Sequence, residues 1–213
     1  VRSAFIFCGG GPSRVPLVVP DDALVVAADV GLAEAERLGV RVELLVGDMD
    51  SVDAESLERF EREGGEIRRY PDDKDATDLD LAIEAAVVAG VGRVIVVGGG
   101  GGRLDHLVGN ALVMGSPRYA AVEVDGVFGE SRLHVCRGRR ELAGTPGELI
   151  SLFALGGSAR GVRAEGLRWP LEDAVLDPGS SLGVSNRFLW ERAVVEVAEG
   201  VVLAVRPGDE TTT

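Results

Sequence analysis

One lysine and two cysteines are all that this chain of 213 residues has of those types, and basic charge is outnumbered throughout. Each scarcity narrows what the protein does. Cys8 and Cys136 stand far apart in strand-like runs, with neither a CxxC pair nor the density of a disulfide scaffold, so a reducing, cytoplasmic setting is expected. No apolar run approaches the ~18 residues of a membrane span, and the opening VRSAFIFCGGGPSR has no long apolar signal core, so no membrane partner is expected. A first residue other than methionine points to a trimmed chain. With 22 Lys plus Arg against 35 Asp plus Glu, the net charge is -13 and the pI about 4.6. That surface repels nucleic acid and anionic lipid, and a polyphosphate ligand would need a metal ion or a local basic patch. The lone lysine, Lys74, falls inside the most acidic loop, where a compact ammonium differs from the planar guanidinium the chain uses everywhere else.

What is present is a 46% hydrophobic complement, enough for one large core or two small ones. Over residues 1–130, the runs SAFIFCGG, ALVVAADV, VELLVGD, GEIRRYP and GRVIVVGGG read as strands, apolar enough for a sheet covered on both faces. Between them GLAEAERLG, DAESLERFEREG, TDLDLAIEAAVVAG and RLDHLVGNALVMG read as helices. The expectation is an α/β fold whose N-terminal part is an open, mostly parallel sheet flanked by helices, with ligands beyond the carboxyl ends of its strands. Residues 131–207 change texture: RLHVCRGRRELAG, GELISLFALGG, ARGVRAEGLRW and AVVEVAEGVVLAVRP predict a small antiparallel β domain, with VAEGVVLAV as a hairpin. Residues 208–213 read as a frayed tail.

Three loops at predicted strand ends carry the chemistry. In VGDMDS, Asp48, Asp50 and Ser51 follow an apolar strand, and alternate aspartates there suit a hard divalent cation; helix capping by Ser51 or Asp53 is the structural alternative. In YPDDKDATDLDLAI, Asp72, Asp73, Asp75, Asp78 and Asp80 crowd into nine positions. Two carboxylates ~5 Å apart repel by roughly 3 kcal/mol at an effective dielectric of ~20, unless they splay into water or share a cation. A capping box explains Thr77, Asp78 and Asp80, but not Asp73, Lys74 and Asp75. In VVGGGGGRLDHLVGN, five glycines ending in Gly101 and Gly102 let backbone N–H groups approach a ligand, and Arg103 is placed to meet phosphate charge. The GK[ST] ending of a Walker A loop is missing and GxGxxG fails at Arg103. Asp105 and His106 support the arginine, orient water or cap the helix, and Asn110 lies one turn on. Asp29, in VVAADVG, ends a further strand.

With these motifs in order along nearly the whole chain, the sequence resembles the thiamine pyrophosphokinase (thiamine diphosphokinase) family: AADVG, GDMDS, DKDATDLDLAI, GGGGGRLDHLVGN and, farther on, GLRWPL with Trp169 and GVSN with Ser185 and Asn186. The resemblance implies a homodimer with active sites between subunits. It also implies transfer of a diphosphoryl group from Mg-ATP to the hydroxyl of thiamine, with release of AMP. It assigns Mg²⁺ to Asp48, Asp50, Asp75 and Asp78. ATP falls to Asp29, Ser51, Lys74, Thr77, Gly101, Gly102, Arg103, Asp105 and His106, and thiamine to Trp169, Ser185 and Asn186. The sequence departs from the family at Arg163, Ala164 and Glu165, where many relatives carry a small hydroxyl side chain before the tryptophan. Another acceptor alcohol, such as a hydroxymethylpterin, or a nucleotide- or thiamine-binding module without turnover therefore stay open beside the thiamine reading.

Overall fold

The computed structural model describes residues 1–71, 73 and 75–208. Asp72, Lys74 and residues 209–213, on which the lone-lysine expectation and nearly all of the frayed tail rest, lie outside the described residues. Packing divides the chain into two units, Val1–Val113 with Ala121–Gly129, and Met114–Ala120 with the chain from Glu130 onward.

The first unit is built on six strands: β1 (Ser3–Phe7), β2 (Leu24–Ala28), β3 (Leu44–Gly47), β4 (Glu66–Arg69), β5 (Arg93–Val97) and β6 (Glu123–Phe128). They pair in parallel in the order β4-β3-β2-β1-β5-β6. Helices α1 (Gly31–Arg37), α2 (Ala54–Arg62), α3 (Asp78–Val88) and α4 (Leu104–Met114) belong to the intervening segments. Strand alternation sorts the core. Phe5, Phe7, Val25, Ala27 and Leu45 cluster with Leu32 and Ala35 of α1 and Phe60 of α2. Ala4, Ile6, Val26, Val46 and Val96 are as deeply buried on the opposite face, and α3, apolar nearly all round, packs against β1, β2 and β3. The close seating of α1 on β1 requires glycine at its start, since a Cβ on Gly31 would lie 2.0 Å from the Phe7 carbonyl oxygen.

Two strand readings change. β4 was expected to be covered on both faces; it ends this path of the sheet, and of its residues Glu66, Arg68 and Arg69 are exposed while Ile67 packs on the core. β6, a strand that pattern reading passed over, extends the other side and carries the buried Asp125, whose carboxylate accepts bonds of 3.0 and 2.6 Å from the Arg93 guanidinium.

The second unit is antiparallel: β7 (Ser131–Ala143), β8 (Leu149–Ala154), β9 (Ala159–Glu165), β10 (Leu171–Leu176), β11 (Asn186–Arg187) and β12 (Arg192–Arg206). The predicted hairpin at VAEGVVLAV is instead the middle of one 15-residue strand, β12, whose register with β7 shifts between Val197 and Val202. The shift has a structural use: β12 pairs with β9 before it and, at Glu199, within it, and with β8 after it, so one strand serves both parts of the unit. Its core gathers Leu142, Ile150, Leu152, Val162, Leu167 and Phe188 among others.

Candidate functional site

Because the six strands of the first unit run the same way, the segments that follow β1, β2, β3, β4 and β5 emerge at one end of the sheet. Asp29 follows β2, Asp48 and Asp50 follow β3, and Asp78 opens α3 after β4. One carboxylate oxygen from each of Asp29, Asp48 and Asp50 lies within 4.8 Å of the others. Backbone geometry produces this convergence. Met49 takes a left-handed φ of 67° and sinks its side chain into the core, which turns its two acidic neighbours away from it. Asp29 is also left-handed, at φ 45°, a conformation that aspartate tolerates better than most residues. Gly47, at φ 151°, leaves the space that Asp29 and Asp78 flank: a Cβ there would sit 3.2 Å from Asp29 Cβ and 3.3 Å from Asp78 Oδ1.

The electrostatics record the crowding. Burial pushes the Asp29 carboxyl above the ordinary aspartate value; the Val30 backbone N–H pulls it back, and the carboxylates of Asp78, Asp48 and Asp50 push it further up. Asp29 Oδ1 is buried and has no hydrogen-bond partner among the described residues. Repelling carboxylates around a buried, unsatisfied oxygen are a costly arrangement for a bare protein and a fitting one for a hard cation with oxygen ligands. The loop is otherwise ordered by its own bonds: the Asp50 N–H donates to Asp48 Oδ1 at 3.2 Å and the Ser51 hydroxyl to Asp50 Oδ1 at 2.7 Å. Of the two candidates for capping α2, Asp53 does so, accepting from the Ser56 N–H at 2.9 Å, and Ser51 is left to Asp50.

Beside the acids lie two glycine loops, one expected and one not. Gly98 to Gly102 follow β5, and Gly9 to Gly11 follow β1, the pair of strands at which the order of the sheet reverses direction. Their backbones touch: the Gly99 N–H donates to the Gly9 carbonyl at 2.7 Å, a Cβ on Gly10 would meet Gly99 at 2.9 Å, and one on Gly101 would meet the Gly10 carbonyl oxygen at 2.4 Å. The Gly9–Gly11 turn escaped pattern reading because CGG looked like a strand's end; the GGGPS run was the signal that could have found it. Its far side is held by a clamp from α1. Glu34 accepts the Ser13 N–H at 2.9 Å and the Arg37 guanidinium at 2.7 and 2.8 Å, and Arg37 donates to the Ser13 carbonyl at 3.3 Å.

The remaining expected residues are placed unevenly. Arg103 immediately precedes α4 and pairs with Asp105 through bonds of 3.2 and 2.6 Å, both side chains exposed. The arginine's hydrogen bonds are the main cause that holds the Asp105 carboxyl down at about 2. His106 is exposed on the first turn of α4, and Asn110 brings its amide to Gly99, 3.1 Å from a Cβ built there. Thr77 caps α3, its hydroxyl accepting the Asp80 N–H at 3.3 Å. Asp73 and Asp75 are exposed, and Asp75 is not among the three acids that meet within 4.8 Å.

In the second unit Trp169 stands 53% exposed, with the Arg168 guanidinium 5.0 Å from its ring centroid. Ser185 is exposed at a left-handed φ of 58°, and its N–H donates to Ser151 Oγ at 3.0 Å. Asn186, expected to face a ligand, is 2% exposed and bonded to backbone. Arg163 and Glu165 point to the exposed face of β9, and Ala164 to the core.

Comparison with known proteins finds two family matches along the chain. A family described as thiamin pyrophosphokinase, catalytic domain, matches residues 16–124, and one described as thiamin pyrophosphokinase, vitamin B1 binding domain, matches residues 134–202. The thiamine pyrophosphokinase of Bacillus subtilis (strain 168) is 23% identical over 98% of this chain and 100% of its own length. Thiamine pyrophosphokinase 1 of Oryza sativa subsp. japonica is 28% identical over 83% of this chain and 69% of its own. The crystal structure of the Bacillus subtilis enzyme superposes with a TM-score of 0.83 at 21% identity, covering 98% of this chain and 100% of that one, which speaks for the fold.

Proposed function

The chain belongs to the thiamin pyrophosphokinase family, and from that premise we propose that it is a thiamine diphosphokinase. It transfers a diphosphoryl group from ATP to thiamine. The observation that carries the reading is the meeting of Asp29, Asp48 and Asp50 at the strand ends, next to two glycine loops in backbone contact. Diphosphoryl transfer is mostly positioning and neutralisation of charge, and these two features supply both.

Asp48, Asp50 and Asp78 would hold magnesium directly or through water, with Asp29 beside them, and Asp75, exposed and outside the trio that meets, would reach it through water. The ion, when bound, neutralises phosphate oxygens and orients them. Backbone N–H groups of Gly101 and Gly102, at the N-terminal end of α4, receive phosphate oxygens. Arg103, paired with Asp105, would add a cation, and Lys74 a second, while Ser51, Thr77 and His106 would line the nucleotide side. In the reaction the primary hydroxyl oxygen of thiamine forms a bond to the β-phosphorus and the bridging oxygen bond between the α- and β-phosphorus breaks. AMP leaves with that oxygen, and the hydroxyl proton passes to one of the four carboxylates. On the acceptor side the Trp169 indole stacks on the cationic ring system, a contact that contributes ~2 kcal/mol when desolvated, and the Ser185 hydroxyl bonds a ring nitrogen.

A homodimer is supported by α4, whose Leu104, Val108 and Leu112 recur every fourth residue and are exposed. Two buried free thiols, Cys8 and Cys136, support a cytoplasmic location. Among the described residues no helix is long and apolar enough to cross a membrane. The test is incubation with Mg-ATP and thiamine. AMP and thiamine diphosphate appearing together is the expected result; AMP formed only with another alcohol reassigns the acceptor, and nucleotide binding with no AMP in any mixture overturns the enzyme.

A further inference from the structure

Trp169 lies in the irregular segment between β9 and β10, so no ladder of strand bonds fixes it. The segment is anchored in steps. The Leu189 N–H donates to the Gly166 carbonyl and the Arg168 N–H to the Arg187 carbonyl, each at 2.9 Å. Leu167 bridges Phe188, and both side chains are sunk in the core. At Trp169 the backbone pairing gives way to a side chain. Asn186 Oδ1 accepts the Trp169 N–H at 3.1 Å and the Arg187 N–H at 2.8 Å, while its Nδ2 donates to the Trp169 carbonyl at 2.7 Å. These partners fix the orientation of the amide, because a backbone N–H needs the oxygen and a carbonyl needs the nitrogen. The oxygen then has both lone pairs engaged, and at 2% exposure the side chain offers a ligand no approach.

We infer that Asn186 is a positioning residue for the aromatic platform and does not touch substrate. Its amide replaces a strand neighbour, holding both polar backbone groups of Trp169 so that the indole stands outward. One face of that indole carries the Arg168 guanidinium, and a flat cationic ring takes the opposite face. The inference rests on the reading that Trp169 stacks the acceptor, and it differs from the expectation that Asn186 itself bonds that acceptor. The sequence offers no means to separate the two, since a buried amide and a ligand-facing one are written with the same letter.

The test uses the full chain carrying Trp190→Phe, which leaves Trp169 as the sole tryptophan of the two. In that background Asn186→Ala is expected to red-shift Trp169 emission and lower its anisotropy in the ligand-free protein. It should raise the thiamine KM about tenfold, the range for loss of buried hydrogen bonds that orient a contact, and leave the ATP KM within about twofold. Asn186→Asp keeps the shape and the accepted bonds but loses the donor to the Trp169 carbonyl; it gives a smaller change in the same direction and serves where the alanine variant does not fold. In a Trp169→Ala background, Asn186→Ala should add nothing further to the thiamine KM, the non-additivity of residues that act as one. A raised thiamine KM with unchanged ligand-free emission would overturn the inference in favour of direct contact. Unchanged emission and KM with a lowered melting temperature would overturn it in favour of packing alone. The emission arm needs no thiamine, so a wild-type protein that fails to turn thiamine over would sink the functional reading and leave this one decided by the spectra.

Discussion

The strand-end acids of the first unit and the tryptophan segment of the second solve opposite problems. Around Asp29, Asp48 and Asp50, charge is concentrated until it destabilises the bare protein, and the backbone bends through left-handed residues at Asp29 and Met49 to keep it so. Around Trp169 no like charges are crowded together among the described residues: an indole with one guanidinium, that of Arg168, on its face is held out into solvent by a buried amide that satisfies its backbone. The first region is arranged against its own stability and the second is supported by its surroundings. A site for a charged ligand therefore announces itself as strain, whereas a site for a flat ring looks like ordinary packing.

That contrast can be broken most decisively at Asp50. Asp50→Asn, which keeps the shape and removes one charge, is expected to cut turnover by more than ~100-fold in a folded protein, the scale for loss of charge stabilisation at a transferred phosphoryl group. Near-normal turnover, measured as AMP release, would remove Asp50 from the metal site. Next in size is Gly10→Ala. Its methyl group would lie 2.9 Å from the Gly99 backbone at a φ of 113°, so the two glycine loops must part. The ATP KM should rise about tenfold with the thiamine KM unchanged, and the fold should lose about 1–3 kcal/mol. An equal rise in both constants would mean that the glycine contact is structural only.

The smallest effect sharpens the comparison in the other direction. Asp29 titrates above its unfolded value. An acid raised in this way leaves stability intact below the unfolded value and lowers it as pH climbs through the folded one, so above that window the Asp29 carboxylate is a cost to the fold. Asp29→Asn should therefore raise the melting temperature of the metal-free protein by a few degrees while lowering activity. A lowered melting temperature would show that the carboxylate supports the fold. No such gain is expected from Trp169→Ala, because the ring is already exposed.

The parallel sheet was legible from its alternation of apolar runs with amphipathic stretches, and the acidic loops from their crowding. β6 was not, since EVDGVF carries an aspartate whose burial depends on Arg93 from another strand. The long β12 was misread because Glu199 and Gly200 look like a turn; pairing with β7 on both sides of the shift, and of Glu199 with Arg160 of β9 within it, keeps the chain extended there. The Gly9–Gly11 loop was missed for a similar reason: its importance lies in meeting a segment some ninety residues away.

By itself the sequence determined which residues could carry the chemistry, because charge repulsion, the missing Cβ of glycine and apolar periodicity are local properties that survive in a string of letters. Tertiary structure alone decided which of them meet: that Asp29 joins Asp48 and Asp50 while Asp75 stays apart from that trio, and that Asn186 turns inward to hold Trp169. The physical reason is that convergence depends on the parallel order of strands and the direction of each backbone turn, which are set by packing across the whole sheet and not by neighbours in the chain.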